Sequence, residues 1–231
     1  LGDDDALARF RGELEARPGL ALAYGSRRAL ASVLESIRAR RLPHPVAVVG
    51  GAGTELVTWP PGRFGGPGRP VAAWVDRLAA DFDADVARAR LLLEPDLEPR
   101  PEAEQGPFKA SYVLPAADEA RLDALVDALA EAGVYADTLY SSDGDLDFVP
   151  AGVNVGAAAA FLADHLGCSP KQVIVATSDA ALLHWGFRAI VVGDAPEAVK
   201  RIAGGDVYLA ERPKADGVTE GLEHWLGGGG G

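Results

Sequence analysis

The sequence predicts an α/β protein: a doubly wound parallel sheet interrupted by a smaller α+β insert. Three observations carry this. Short apolar runs alternate with amphipathic helical stretches near both ends of the chain, which implies parallel pairing through crossover helices. The stretch from Pro60 to Pro70, with Gly65-Gly66-Pro67-Gly68 at its centre, breaks that alternation. Beyond it the period changes, and Phe108-Lys109-Ala110-Ser111-Tyr112-Val113-Leu114 alternates between two helical stretches. The expected organisation is a core in two parts, residues 1–58 and 148–226, an insert at 59–147 and a glycine tail at 227–231.

From the start, Asp3 to Arg17 reads as a helix. Asp3-Asp4-Asp5 suits its N-terminus, Leu7, Phe10 and Leu14 share a face, and Pro18-Gly19 ends it. Leu20 to Tyr24 is a short strand, followed by the polar turn Gly25-Ser26-Arg27-Arg28. Ala29 to Arg40 is helical, with Leu30, Val33, Leu34 and Ile37 as its apolar stripe, and Pro45 to Val49 is a second buried strand. In the insert, Trp74 to Leu93 and Glu119 to Gly133 are expected helices, and Tyr135 to Leu139 and Asp145 to Val149 expected strands. The α/β pattern then resumes. Helices are expected at Gly156–Leu166, Ala195–Ile202 and Val218–Leu226, and strands at Val173–Ala176, Arg188–Val192 and Val207–Leu209.

Composition narrows the function classes. Of 231 residues, 48% are hydrophobic and 24% charged, enough to bury a sizeable core. The net charge of −12 disfavours nucleic acid and anionic lipid as partners. The single cysteine, Cys168, excludes an intrachain disulfide and reads as a packing residue; a cytoplasmic location is expected. No apolar run approaches the roughly 18 residues of a membrane span. His44, His165 and His224 lack metal-ligand spacing, and a lone His184 reads as structural.

Several separated segments together resemble the sucrose-phosphate phosphatase branch of the haloacid-dehalogenase (HAD) superfamily. Leu22-Ala23-Tyr24-Gly25-Ser26-Arg27-Arg28 resembles that family's Y-x-T-G-R, and Gly53-Thr54-Glu55 its G-[ST]-E. Phe108-Lys109-Ala110-Ser111-Tyr112 resembles W-K-x-S-Y of the family's cap, and Ser141-Ser142 with Asp145 to Pro150 resembles S-S-x-x-D-[LV]-D-x-x-P. Val153-Asn154-Val155-Gly156 stands where the family has S-N-K-G, and Ala215-Asp216-Gly217-Val218 resembles its final A-x-G-[IV]. The resemblance implies a HAD-like Rossmannoid core with an α+β cap. It also implies magnesium as cofactor and a sugar phosphate such as sucrose-6-phosphate as ligand. By position it assigns Ser26 and Arg28 to phosphate, Lys109, Ser111, Tyr112, Ser141, Ser142 and Asn154 to the sugar, and Asp179 to the metal.

The family's chemistry uses an aspartate nucleophile in D-x-D-x-T, a second aspartate as acid and base, magnesium-binding carboxylates and a lysine on the phosphate. This chain starts, by the resemblance, just past D-x-D-x-T, and Leu1 with the lack of any methionine leads to the expectation of an N-terminal truncation. Internally, Val155 stands at the lysine position and Ala176-Thr177-Ser178-Asp179-Ala180 is a shortened fourth motif. The chain is therefore expected not to hydrolyse phosphate esters. Three readings stay open: a divergent sugar-phosphate phosphatase, a sugar-phosphate-binding pseudophosphatase associated with a glycosyltransferase, and an α/β interaction protein without a ligand. Ser26 is equally a helix N-cap before Ala29, and the alternative for the cap-strand residues is that Lys109 and the serines are solvated and Tyr112 is packing.

Overall fold

The computed structural model describes residues 2–141, 143–202 and 204–227. Along the chain lie α1 (Asp4–Glu15), β1 (Ala23–Gly25), α2 (Leu30–Ala39), β2 (Ala47–Gly50), β3 (Glu55–Thr58), β4 (Arg69–Pro70) and α3 (Ala72–Ala79). There follow α4 (Ala84–Leu91), β5 (Glu98–Pro99), β6 (Ala110–Val113), α5 (Glu119–Glu131), β7 (Ala136–Tyr140), β8 (Asp145–Pro150) and α6 (Val155–His165). The last elements are β9 (Ile174–Thr177), β10 (Arg188–Val191), α7 (Glu197–Lys200), β11 (Val207–Leu209) and α8 (Lys214–Gly227). The chain forms two compact units, Leu1–Ala21 with Ala160–Gly231, and Leu22–Ala159.

In the first unit, β10 lies between β9 and β11 and pairs with both in parallel. Ile190, Ala210 and Leu222 form its apolar centre, with Phe10, Ile174, Val218 and Trp225 packed around them. The acidic start of α1 behaves as its composition implies: Asp3 Oδ1 accepts from the Ala6 N–H at 2.8 Å. α1 is tied to α8 by Arg9, whose guanidinium grips both oxygens of Asp216 at 2.8 and 3.0 Å. No described helix is long and apolar enough to cross a membrane.

The second unit holds two sheets. In one, β1 pairs in parallel with β2, while β3 and β4 add antiparallel strands in the order β1-β2-β3-β4. The expected parallel pairing thus covers β1–β2 and β9–β10–β11. β3 has to run antiparallel because the four residues after β2 are too few for a crossover. Among the described residues β1 and β9 each have a strand neighbour on one side only. The other sheet, in the order β5-β6-β8-β7, is antiparallel throughout. Tyr112, Leu114, Leu146 and Phe148 bury one face of it with Leu91 of α4 and Leu125 and Leu129 of α5.

One expected element is corrected. Trp74 to Leu93 is not one helix but α3 and α4, because Phe82 turns into the core at 4% exposure and Asp83 caps the second helix. Asp83 Oδ1 accepts from the Asp85 and Val86 N–H groups at 2.9 and 3.1 Å. An aspartate that takes two orphan N–H groups starts a new helix more readily than it continues an old one.

Candidate functional site

A cavity of about 430 Å³ opens in the Leu22–Ala159 unit between the turn after β1 and the polar face of the antiparallel sheet. Strand alternation builds that face. Because Tyr112 and Phe148 point into the core, Ser111 and Asp147, their chain neighbours, point the other way. Ser111 and Asp147 are register partners, and the Ser111 hydroxyl donates to Asp147 Oδ1 at 2.7 Å. Lys109 Nζ lies 3.4 Å from the same oxygen, its side chain only 6% exposed. Arg88 fixes the approach to β6 by donating to the carbonyls of Gly106 and Lys109.

The opposite wall comes from Arg27, Arg28 and Ala29, while Ser26 of the same turn does not line the cavity. The Arg28 N–H donates to Ser26 Oγ at 3.1 Å, and the Arg28 carbonyl accepts from Gly51 at 2.7 Å. The Arg28 guanidinium lies along α2, bonded to Ser36 Oγ at 3.1 Å and to Ser32. Arg27 donates to the Leu139 carbonyl at 3.0 Å and stands 4.0 Å from Asp147 Oδ2. Arg100 pairs with Asp145 at the rim. Four cationic side chains and three carboxylates therefore line a cavity in a chain whose net charge is −12.

Of the residues named from sequence, Arg28, Lys109, Tyr112 and Ser141 border this cavity, and Ser111 stands behind it on Asp147. Tyr112 is a lining residue, but its ring lies in the core, edge-on against Phe148 with centroids 6.1 Å apart. Burial pushes its phenol above the ordinary value, against a smaller opposing pull from Arg88. Ser142 lies outside the described residues. Ser26 is not the cap of α2. That helix begins after Ala29 without a side-chain cap of its own, and the Leu30 N–H donates to Glu55 Oε2 at 2.7 Å.

Asn154 sits elsewhere, accepting with Oδ1 from the Ala157 N–H at 2.9 Å and so capping α6. Gly53 makes this closeness feasible: its φ is +107°, and a Cβ there would meet the Asn154 backbone carbonyl at 2.4 Å. Val155 packs against Gly25, where a Cβ would come within 2.7 Å of its Cγ1. Asp179 belongs to the other unit, and its Oδ1 accepts from the Ala181 N–H at 2.9 Å. Among the described residues no three carboxylate, histidine or cysteine side chains gather as a cation would need. The donors present do not fit magnesium, which prefers near-octahedral oxygen ligation anchored on carboxylates.

Sequence reasoning passed over Arg27, Ser32, Arg100, Glu104, Asp145 and Asp147, all of which line the cavity. Asp145 and Asp147 had a usable signal, since their alternation with Leu146 and Phe148 matches that of Lys109 and Ser111 with Ala110 and Tyr112. Arg100 lies in a proline-rich stretch with no period, and nothing local marks it.

Parallel strands joined through helices, with a helix-backed antiparallel sheet between, define the HAD-like hydrolase fold. A haloacid dehalogenase-like hydrolase from Bacillus subtilis superposes with a TM-score of 0.67 at 16% identity, over 98% of this chain and 87% of its own. Residues 1–226 match the model of the sucrose-6F-phosphate phosphohydrolase family, and the chain belongs to that family. It is 30% identical to the mannosylfructose-phosphate phosphatase of Agrobacterium fabrum (strain C58), over 97% of this chain and 92% of that one. The sucrose-phosphatase of Synechocystis sp. PCC6803, solved with sucrose and phosphate, superposes with a TM-score of 0.80 at 28% identity, over 97% of this chain and 93% of its own.

Proposed function

We propose that this chain binds a disaccharide phosphate such as sucrose-6-phosphate in the 430 Å³ cavity and does not hydrolyse it. Residues 59–147 act as the cap in this reading. The observation that carries it is the cavity lining, in which buried Lys109 and half-buried Asp147, the latter held from behind by Ser111, face the cations of the β1 turn. Fixed carboxylates and ammonium groups at this spacing suit sugar hydroxyls, which both donate and accept. A relative solved with sucrose and phosphate supports the class of ligand.

The second half rests on interior residues. Val155, at the family's lysine position by resemblance, offers no donor to a phosphate and packs on Gly25. Asp179 spends one carboxylate oxygen on a helix cap. Loss of electrostatic stabilisers of this kind costs about 10²–10³ in rate for each donor removed. An association with a glycosyltransferase has no described residue behind it and stands outside the proposal.

The test is thermal stabilisation by sucrose-6-phosphate with magnesium or with EDTA, run beside phosphate release. Stabilisation in both conditions without phosphate release supports binding without turnover. Magnesium-dependent phosphate release would replace it with a working phosphatase, and no stabilisation by any sugar phosphate would remove the ligand altogether.

A further inference from the structure

We infer that Arg27, backed by Arg28, is the anion ligand of this cavity and holds the phosphate of a phosphorylated sugar without a metal ion. The inference rests on the sugar-phosphate reading above and adds the residue that distinguishes a phosphorylated ligand from the free sugar.

The charges around the cavity are not evenly spent. Lys109 and Arg100 each have a carboxylate, Asp147 at 3.4 Å for Lys109 and Asp145 for Arg100. Arg28 has none among the described residues, and its guanidinium is held by the neutral oxygens of Ser32 and Ser36. Arg27 makes one hydrogen bond, to the neutral Leu139 carbonyl, and its approach to Asp147 at 4.0 Å is beyond hydrogen-bond length. Asp147 is moreover already engaged by Ser111 and Lys109. Four cations against three carboxylates, Glu104 among them, leave a surplus positive charge, and it lies at the turn wall, where Arg27 shares Asp147 with Lys109 and Arg28 has no carboxylate partner among the described residues.

The neighbouring alternative for an anion is already taken. The N-terminus of α2 would attract a phosphate, but the Glu55 carboxylate occupies its first N–H at 2.7 Å. A second anion there would meet a like charge. The turn itself is set in advance, with Ser26 Oγ on the Arg28 N–H and Gly51 on the Arg28 carbonyl. A guanidinium on such a base presents several N–H donors to phosphate oxygens, a bidentate contact that an ammonium cannot copy.

The experiment is isothermal titration in EDTA of wild type, Arg27→Gln and Arg27→Lys with sucrose-6-phosphate and with sucrose, each variant's melting temperature being measured alongside. Wild type is expected to bind the phosphorylated sugar at least about tenfold more tightly than sucrose. Arg27→Gln is expected to erase that difference and leave sucrose binding within about twofold, while Arg27→Lys restores only part of it. Unchanged sucrose-6-phosphate binding by Arg27→Gln overturns the assignment of Arg27 and leaves the sugar-phosphate reading intact. An equal loss of both ligands would make Arg27 a structural tie to Leu139, and would also overturn it. Wild type binding neither ligand removes the sugar-phosphate reading and the assignment with it.

Discussion

Ser111 and Asp147 stand opposite each other on β6 and β8, and the serine hydroxyl reaches Asp147 Oδ1 over 2.7 Å. That carboxylate is also the counter-ion of Lys109, which is 5% exposed and 3.4 Å away. One aspartate thus satisfies a buried hydroxyl and a buried ammonium on the polar face of an otherwise apolar sheet.

Removal of that carboxylate leaves both partners unmatched. Asp147→Ala is expected to lower stability by about 1–3 kcal/mol, and Ser111→Ala by about 1 kcal/mol, since the larger loss strands a charged group. Urea midpoints at pH 7 measure both. If Asp147→Ala unfolds at the wild-type midpoint, Lys109 has another partner and the cluster is not as described.

Asn154 and Gly53 separate a structural role from a ligand role. Asn154→Ala removes the side-chain acceptor at the start of α6 and is expected to cost about 0.5–2 kcal/mol, with sucrose-6-phosphate affinity unchanged. Gly53→Ala, which forces a Cβ against the Asn154 carbonyl at a left-handed φ, is expected to cost about 1–3 kcal/mol. A drop in affinity with unaltered stability in Asn154→Ala would move Asn154 into the binding site.

The pH dependence of stability has a local source in the antiparallel sheet's helical layer. Arg90 and Arg121 hydrogen-bond the Glu94 carboxylate at 2.7 and 2.9 Å and hold it below the usual carboxylate range. A group depressed on folding stabilises above its unfolded value, about 4.3 for glutamate, and loses that contribution as pH falls through the folded value. Asp96, lowered chiefly by its hydrogen bond from Arg121, acts in the same direction. Wild type is expected to lose stability from about pH 5 downward. Glu94→Gln is expected to be less stable at pH 7 and to show a shallower decline in that window. Parallel pH curves for the two proteins would exclude Glu94 as a contributor.

Much of the fold was legible because it is local. Leu122, Leu125, Val126 and Leu129 recur at helical spacing, and α5 forms there; Val207 to Leu209 is a strand as read. The division of α3 from α4 was hidden, since Phe82 looks like one more apolar residue until the core that receives it exists. β3 and β4 were hidden as well, their few residues lying among glycines and prolines without a period. In the site, Lys109 and Ser111 were accessible through alternation and resemblance, and Asp145 and Asp147 shared that alternation unused.

By itself, the sequence determined most of the helices and strands, the alternation of β6, and the family to which the chain is similar. These follow from side-chain periodicity and short motifs, properties of neighbours in the chain. Only the tertiary structure decided that Asn154 is a cap, that Glu55 takes the N–H of Leu30, and that Arg27 meets Leu139 and Asp147, more than a hundred residues away. A side chain's partner depends on the distance left between its donors and acceptors once the backbone has folded. Burial and register set that distance, and no local pattern encodes it.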